Sequence, residues 1–247
     1  MGLPKIAVPE YSLTLPSNGK ELKYRPFLVK EEKLLLIAME SEEEQQIITA
    51  TKNVIQNCVY GDIDVDTLPI FDIEYIFLWL RGRAKGEKVD LKYTCPECKN
   101  EVIISFNIED VNVNKPEGHN NKIELTDDLG VVMKYPDIQM QSNIEGSKDE
   151  NQVEQLFKTI RICIDYIYDA EKMYSNKDHT ETELTDFLES LTDPQFQKIA
   201  KFFETMPKLK HDVKLHCKAV TSEKGKKKTI CGYQEDIKLE GLQSFFA

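Results

Sequence analysis

The sequence lacks any apolar stretch that approaches the roughly 20 residues of a membrane-spanning helix. The longest candidate runs from Ile70 to Leu80, and it contains Asp72 and Glu74. The first residues lack the charged-then-apolar pattern of a secretory signal. A myristoylation motif would need Ser or Thr at the position of Ile6. We therefore expect a cytosolic protein that has no membrane partner.

Positive charge is also in deficit. The chain has 32 Lys and Arg against 43 Asp and Glu, which gives a formal net charge of −11. General nucleic-acid binding needs clustered Lys and Arg to neutralise phosphates. The one basic cluster, residues 224–228, lies between Cys217 and Cys231 and predicts a solvated loop tip. A nucleic-acid-binding module is therefore the weakest of the functional alternatives.

The sequence has no recognisable catalytic motif. We find no Gly-rich phosphate loop, no His-Glu-x-x-His and no Gly-x-Ser-x-Gly. The histidines number four and are spread through polar segments. The acidic residues 42–44 are typical of a helix N-terminus, where negative charge is favoured. These absences predict a non-enzymatic protein without catalytic residues.

What the sequence does contain is enough apolar material for a folded core. Of its 247 residues, 40% are hydrophobic and 30% are charged, which is typical of a globular protein. Its periodicity alternates between strand pairs and helices, without β-α-β order, and this predicts an α+β fold of helices bracketing short antiparallel β-hairpins. The expected helices cover about 30–40, 42–58, 72–83, 152–168, 181–191 and 192–205. The expected hairpins cover 11–27, 88–108 and 122–135, with a loop over 111–121.

The same sequence pattern predicts four consecutive regions. Residues 1–10 form an N-terminal arm, and residues 11–138 form an α+β region with the first cysteine hairpin. Residues 139–151 form a linker, and residues 152–247 form a helical region that ends in the second cysteine hairpin. We expect the two large regions to pack together as one unit.

Two of the six cysteines fit a hydrophobic core. Cys58 lies on the apolar face of one predicted helix, and Cys163 lies on that of another. Buried free thiols behave as small hydrophobic groups and are typical of a reducing compartment. A disulfide framework is therefore the weaker interpretation of the other four.

Those four cysteines form two pairs far apart in the chain. Cys95 and Cys98 lie in Lys-Tyr-Thr-Cys-Pro-Glu-Cys, and Cys217 follows Lys-Leu-His before a Lys- and Gly-rich loop that ends at Cys231. Each pair has an incoming Lys-x-x-Cys strand, a turn closed by a second Cys, and an outgoing strand. Four thiolates are the ligand set of a structural zinc ribbon. We expect Cys95, Cys98, Cys217 and Cys231 to bind one zinc ion in a zinc-ribbon-like element.

Several alternatives stay open for these residues. Thirteen residues separate Cys217 from Cys231, so that pair departs from a compact Cys-x-x-Cys-Gly turn. His216 could replace a missing ligand, although its position suits the opposite face of the strand. The cysteines could also be metal-free, or they could serve redox chemistry. Redox chemistry is disfavoured because Cys95-Pro-Glu-Cys98 joins two strands, whereas thioredoxin-type motifs open a helix that lowers the thiol pKa.

Four stretches together resemble one known family. They are residues 15–36, residues 71–81, residues 187–211 and the closing Cys231-Gly-Tyr through Phe246. In this order they are similar to the baseplate hub assembly proteins of T4-like tailed bacteriophages. The resemblance implies a non-enzymatic role in building the central hub of a contractile tail, inside the infected bacterium, with other baseplate hub proteins as partners. It leaves open whether the chain is an assembly factor or a permanent component of the virion.

Overall fold

The computed structural model describes residues 6–41, 43–140, 151–224 and 227–241. The chain splits into two compact units: Met1–Val65, Phe71–Asn114 and Lys208–Ala247 form unit one, and Asp66–Ile70 and Lys115–Pro207 form unit two. Residues 141–150, which make up most of the expected linker, lie outside the described residues. The division into four consecutive regions therefore stays a prediction.

The described elements alternate between helices and short strands. The helices are α1 (Val29–Glu40), α2 (Glu44–Cys58), α3 (Ile70–Lys85), α4 (Gln152–Cys163), α5 (Glu181–Glu189) and α6 (Asp193–Thr205). The first strands are β1 (Tyr11–Thr14), β2 (Glu21–Tyr24), β3 (Val59–Tyr60), β4 (Lys88–Thr94), β5 (Glu101–Asn107), β6 (Asn112–Asn114) and β7 (Lys122–Glu124). The others are β8 (Gly130–Met133), β9 (Ile164–Tyr168), β10 (Met173–Ser175), β11 (Lys208–His216), β12 (Val220–Lys224), β13 (Lys227–Ile230) and β14 (Gln234–Glu240). All the pairs that these strands form are antiparallel, which confirms the α+β class.

In unit one, the turn of the first hairpin is hydrogen-bonded to α3. The β1–β2 turn contains Gly19 at φ 73°, a conformation that glycine adopts without steric cost. The backbone N–H and the hydroxyl of Ser17 in that turn donate hydrogen bonds to the buried carboxylate of Asp72. α3 is apolar on most sides and buries Ile76 and Leu80 completely, so it lies within the core.

A three-stranded sheet in the order β14-β11-β6 completes unit one. β11 pairs with β14 from Lys210↔Glu240 to His216↔Gln234. On its other edge, the start of β11 pairs with β6. The expectation of a loop over 111–121 was wrong at residues 112–114. The long β11 offers an unpaired edge there, and pairing with this edge stabilises a strand although the local strand propensity is weak.

Unit two holds a sheet in the order β10-β9-β8-β7, and its apolar residues form one core with those of α4, α5 and α6. The expected helix over 152–168 was wrong in its last turn, because α4 ends at Cys163 and residues 164–168 form β9. These residues are β-branched or aromatic at four of five positions, and β8 and β10 supply backbone partners on both edges. α5 and α6 begin as expected, with capping boxes at Thr180 and Thr192.

None of the helices in the described ranges has the length and hydropathy that a membrane crossing requires. The C-terminal residues 242–247, with Phe245 and Phe246, lie outside the described part of the chain.

Candidate metal centre

Cys95 and Cys98 lie in the tight turn between β4 and β5, which we call the short knuckle (residues 95–100). The backbone N–H of Cys95 donates to the carbonyl of Asn100 at 2.9 Å, and the N–H of Lys99 donates to the carbonyl of Cys95 at 2.9 Å. Lys99 takes the left-handed conformation, with φ 60°. These bonds fold the backbone around the two sulfur atoms.

Cys217 and Cys231 lie between β11 and β14, in what we call the long knuckle (residues 217–233). The N–H of Cys217 donates to the carbonyl of Tyr233 at 2.9 Å, and the N–H of Gly232 donates to the carbonyl of Cys217 at 3.0 Å. Gly232 is left-handed, with φ 71°. The long knuckle therefore closes with the same two backbone hydrogen bonds as the short one.

The extra residues of the long knuckle form a hairpin of their own. β12 pairs with β13, and at the base of this hairpin the N–H of Cys231 donates to the carbonyl of Ala219 at 2.9 Å. The inserted segment thus leaves and returns at nearly the same point. A thirteen-residue separation in sequence is consequently compatible with a compact pair of ligands.

The two knuckles bring their four sulfur atoms together. All four lie within 4.8 Å of one another, with Cys95 Sγ 3.8 Å from Cys231 Sγ and Cys98 Sγ 3.5 Å from Cys217 Sγ. Tetrahedral zinc with Zn–S bonds of about 2.3 Å would place its sulfurs about 3.8 Å apart, whereas a disulfide needs about 2.05 Å. The donor set and its spacing fit a four-cysteine metal site.

Backbone dipoles favour thiolates at this site. The N–H of Asn100, with its side-chain amide, lowers the pKa of the Cys98 thiol to about 6. The N–H of Ala219 acts in the same direction on Cys217, but desolvation and the neighbouring thiols outweigh it and raise the pKa of Cys217 to about 12. Four negative charges this close repel one another, so they ionise together only beside a cation.

The alternative ligand and the other two cysteines lie elsewhere. His216 is exposed on β11 and does not belong to the four-sulfur group. Cys58 and Cys163 are buried, which confirms the expectation that they are core thiols. Burial raises the pKa of Cys58 to about 11 and that of Cys163 to about 12, so both are unreactive at neutral pH.

The site is part of an apolar cluster of unit one. Cys95 and Cys217 are fully buried in this cluster with Leu91, Ile104 and Leu215, while Cys98 and Cys231 are partly buried at its edge. Four protein thiolates would leave a bound metal no open position for a substrate, as in structural sites. Such an ion would join the β4–β5 hairpin to the separate β14-β11-β6 sheet.

Sequence reasoning found the four cysteines but missed the backbone groups that shape the site. The left-handed residue Lys99 and the N–H donors of Asn100 and Ala219 were not singled out. Gly232, directly after Cys231, was the available signal, because glycine is favoured where φ is positive. Lysine at position 99 carries no comparable signal.

Comparison with known proteins gives one family. A family model described as T4 bacteriophage base plate protein matches residues 8–247, a range that includes both knuckles. No curated protein and no solved structure gives a significant match. The match covers nearly the whole chain, so the expected relationship to T4-type phage baseplate proteins is confirmed. The chain belongs to the T4 bacteriophage base plate protein family.

Proposed function

We propose that this chain is a non-enzymatic assembly protein of the baseplate hub. It binds hub subunits during morphogenesis of a contractile phage tail, in the cytoplasm of the infected host. The observation that carries the proposal is the family match over residues 8–247, which points to a structural role in the baseplate. The hub and the assembly step are the specific form of that role that the resemblance of the sequence implies.

The proposal includes one structural zinc ion held by Cys95, Cys98, Cys217 and Cys231. Tetrahedral sets of four thiolates select zinc or iron among the common metals. Zinc is favoured because each cysteine pair is carried by a β-hairpin or β-sheet turn, as in zinc ribbons. In such sites the binding energy of the metal contributes directly to folding. The ion would hold two separate β-elements in the arrangement that a hub subunit recognises.

Co-expression tests the assembly role. The chain is expressed with tagged baseplate hub proteins of the same phage, and the tagged proteins are purified. A stable complex with at least one hub subunit is expected from the native chain. The Cys58→Ser variant, altered in the core and not at the metal centre, should co-purify as well as the native chain. Failure to co-purify with any hub protein would contradict the proposal.

The family description also favours a second candidate, a permanent component of the virion baseplate. Mass spectrometry of purified particles separates the two. A pure assembly factor is missing from finished particles, whereas a permanent component is present in a fixed ratio to the other baseplate proteins. Detection at that ratio would replace the assembly role with the structural one.

A further inference from the structure

Helix α1 has apolar residues on the side that faces away from the core. Val29 is 80% exposed, Leu36 is 50% exposed and Ile37 is 53% exposed. A surface helix normally has one apolar stripe, and this stripe faces the core. In α1 the inward side is supplied by other residues, namely Glu31, Leu35 and Ala38. The outward apolar surface therefore needs a separate explanation.

The helix cannot turn this surface inward. The buried carboxylate of Glu31 accepts hydrogen bonds from the backbone N–H of Leu28 at 2.8 Å and from the guanidinium of Arg25 at 2.9 Å. On its flank, Glu32 forms an ion pair with Lys85 at 2.8 Å. Rotating α1 would break both contacts and bury a charge without its partner, which is costly. The outward side is thus a fixed feature of the fold.

The charges on the same side follow a symmetric pattern. Lys33 and Glu40 are both exposed, and seven residues place them about two turns apart on one face. Their midpoint falls between Leu36 and Ile37. If a second α1 runs antiparallel about that midpoint, each Lys33 comes opposite a Glu40, and the apolar residues at the centre pack against each other. In a parallel arrangement lysine would oppose lysine.

We propose that this face of α1 is the interface of a homodimer, in which two copies of α1 pack antiparallel about a two-fold axis beside Leu36 and Ile37. Two-fold interfaces use the same patch on both subunits and must be self-complementary. The α1 face meets this requirement, because its two charged residues lie on either side of an apolar centre and opposite charges would meet across the axis. A different protein would not need Lys33 and Glu40 at equal distances from the apolar centre.

Charge exchange tests the proposal on the full-length chain. Sedimentation equilibrium of the native protein should give a concentration-dependent dimer. Lys33→Glu alone and Glu40→Lys alone should each raise the dissociation constant at least tenfold, because each places like charges opposite one another. Mixing the two variants should restore a dimer, since one chain then presents two acidic and the other two basic groups. The double variant Lys33→Glu/Glu40→Lys should dimerise by itself.

Leu36→Asp gives an independent measurement, because it removes the apolar centre without touching the charged pair. It should also weaken the dimer at least tenfold, while circular dichroism stays unchanged. A native protein that is monomeric throughout would overturn the proposal. So would a dimer that survives both single charge reversals, or one that mixing does not restore. A monomer that uses the α1 face for a baseplate protein would equally overturn it.

Discussion

The two knuckles differ greatly in length, yet they close in the same way. In each, the first cysteine accepts a hydrogen bond from a left-handed residue that follows the second cysteine, and it donates to the residue after that. Two residues lie between Cys95 and Cys98, whereas a complete hairpin lies between Cys217 and Cys231. The ligand geometry therefore depends on how the flanking strands close, and the length of the loop has little influence.

The largest expected effect comes from removing one of the four cysteine ligands, because the metal would join both knuckles. Cys95→Ser should lower the free energy of unfolding by about 4 kcal/mol, because losing a structural metal removes folding energy directly. Urea denaturation with zinc present measures it. Cys58→Ser, which changes a buried thiol outside the four-cysteine group, should cost only about 1 kcal/mol. Equal losses in both variants would mean that the metal does not depend on Cys95.

A second difference between the knuckles appears in metal-free protein. At pH 7 the Cys98 thiol, with its pKa lowered to about 6, is mostly thiolate, and Cys217, with its pKa raised to about 12, stays protonated. Iodoacetamide should therefore alkylate Cys98 at least about tenfold faster than Cys217. Peptide mass mapping over a time course gives both rates.

Two conditions check that result. Lowering the pH to 5, below the pKa of Cys98, should slow its alkylation because its thiolate is then protonated. Adding zinc at pH 7 should protect all four cysteines together. Equal alkylation rates at Cys98 and Cys217 would contradict the electrostatic difference between the knuckles.

Substituting the left-handed residue of a knuckle should have a smaller effect on stability. Gly232→Ala should destabilise the protein by about 1 kcal/mol, because a Cβ disfavours positive φ. The nearest atom to that Cβ, the Ile230 carbonyl oxygen, is 4.0 Å away, so the cost is conformational and not a clash. At the equivalent place in the short knuckle, Lys99→Gly removes a strained side chain and should change stability by no more than about 0.5 kcal/mol. Thermal unfolding of both variants checks these values.

The smallest effect on the metal centre is expected from shortening the long knuckle. Replacing residues 218–230 with Pro-Glu makes the second pair as compact as the first. Since the closing hydrogen bonds involve Cys217, Gly232 and Tyr233, they are retained. Zinc content should stay at the native level. Loss of zinc from a folded variant would show that the inserted hairpin contributes to ligand geometry.

The sequence was sufficient to predict features that local chemistry determines. The hairpins over 11–27 and 88–108 and the starts of α5 and α6 all have short-range causes, and these elements were confirmed. The matching Lys-x-x-Cys strands also located the second knuckle, because strand pairing brings Cys217 near Cys231 despite the long insertion.

Features that depend on distant partners could not be predicted in this way. β6 has a polar sequence and exists because β11, almost a hundred residues later, provides a paired edge. Residues 164–168 continue the apolar face of α4, so helical periodicity extended the predicted helix into β9. In both cases tertiary pairing decides between local alternatives of similar free energy. The outward apolar face of α1 was likewise invisible, because the sequence does not reveal which side of a dense apolar helix faces the core.

The most direct test of the metal centre is elemental analysis of the purified native chain, with single serine variants of Cys95, Cys98, Cys217 and Cys231 measured alongside. We expect one zinc per native chain, and its loss in each of the four variants. Cys163→Ser should retain the full amount. A native chain without zinc, or a variant at any of the four positions that keeps it, would contradict the proposed joining of the two knuckles by one ion.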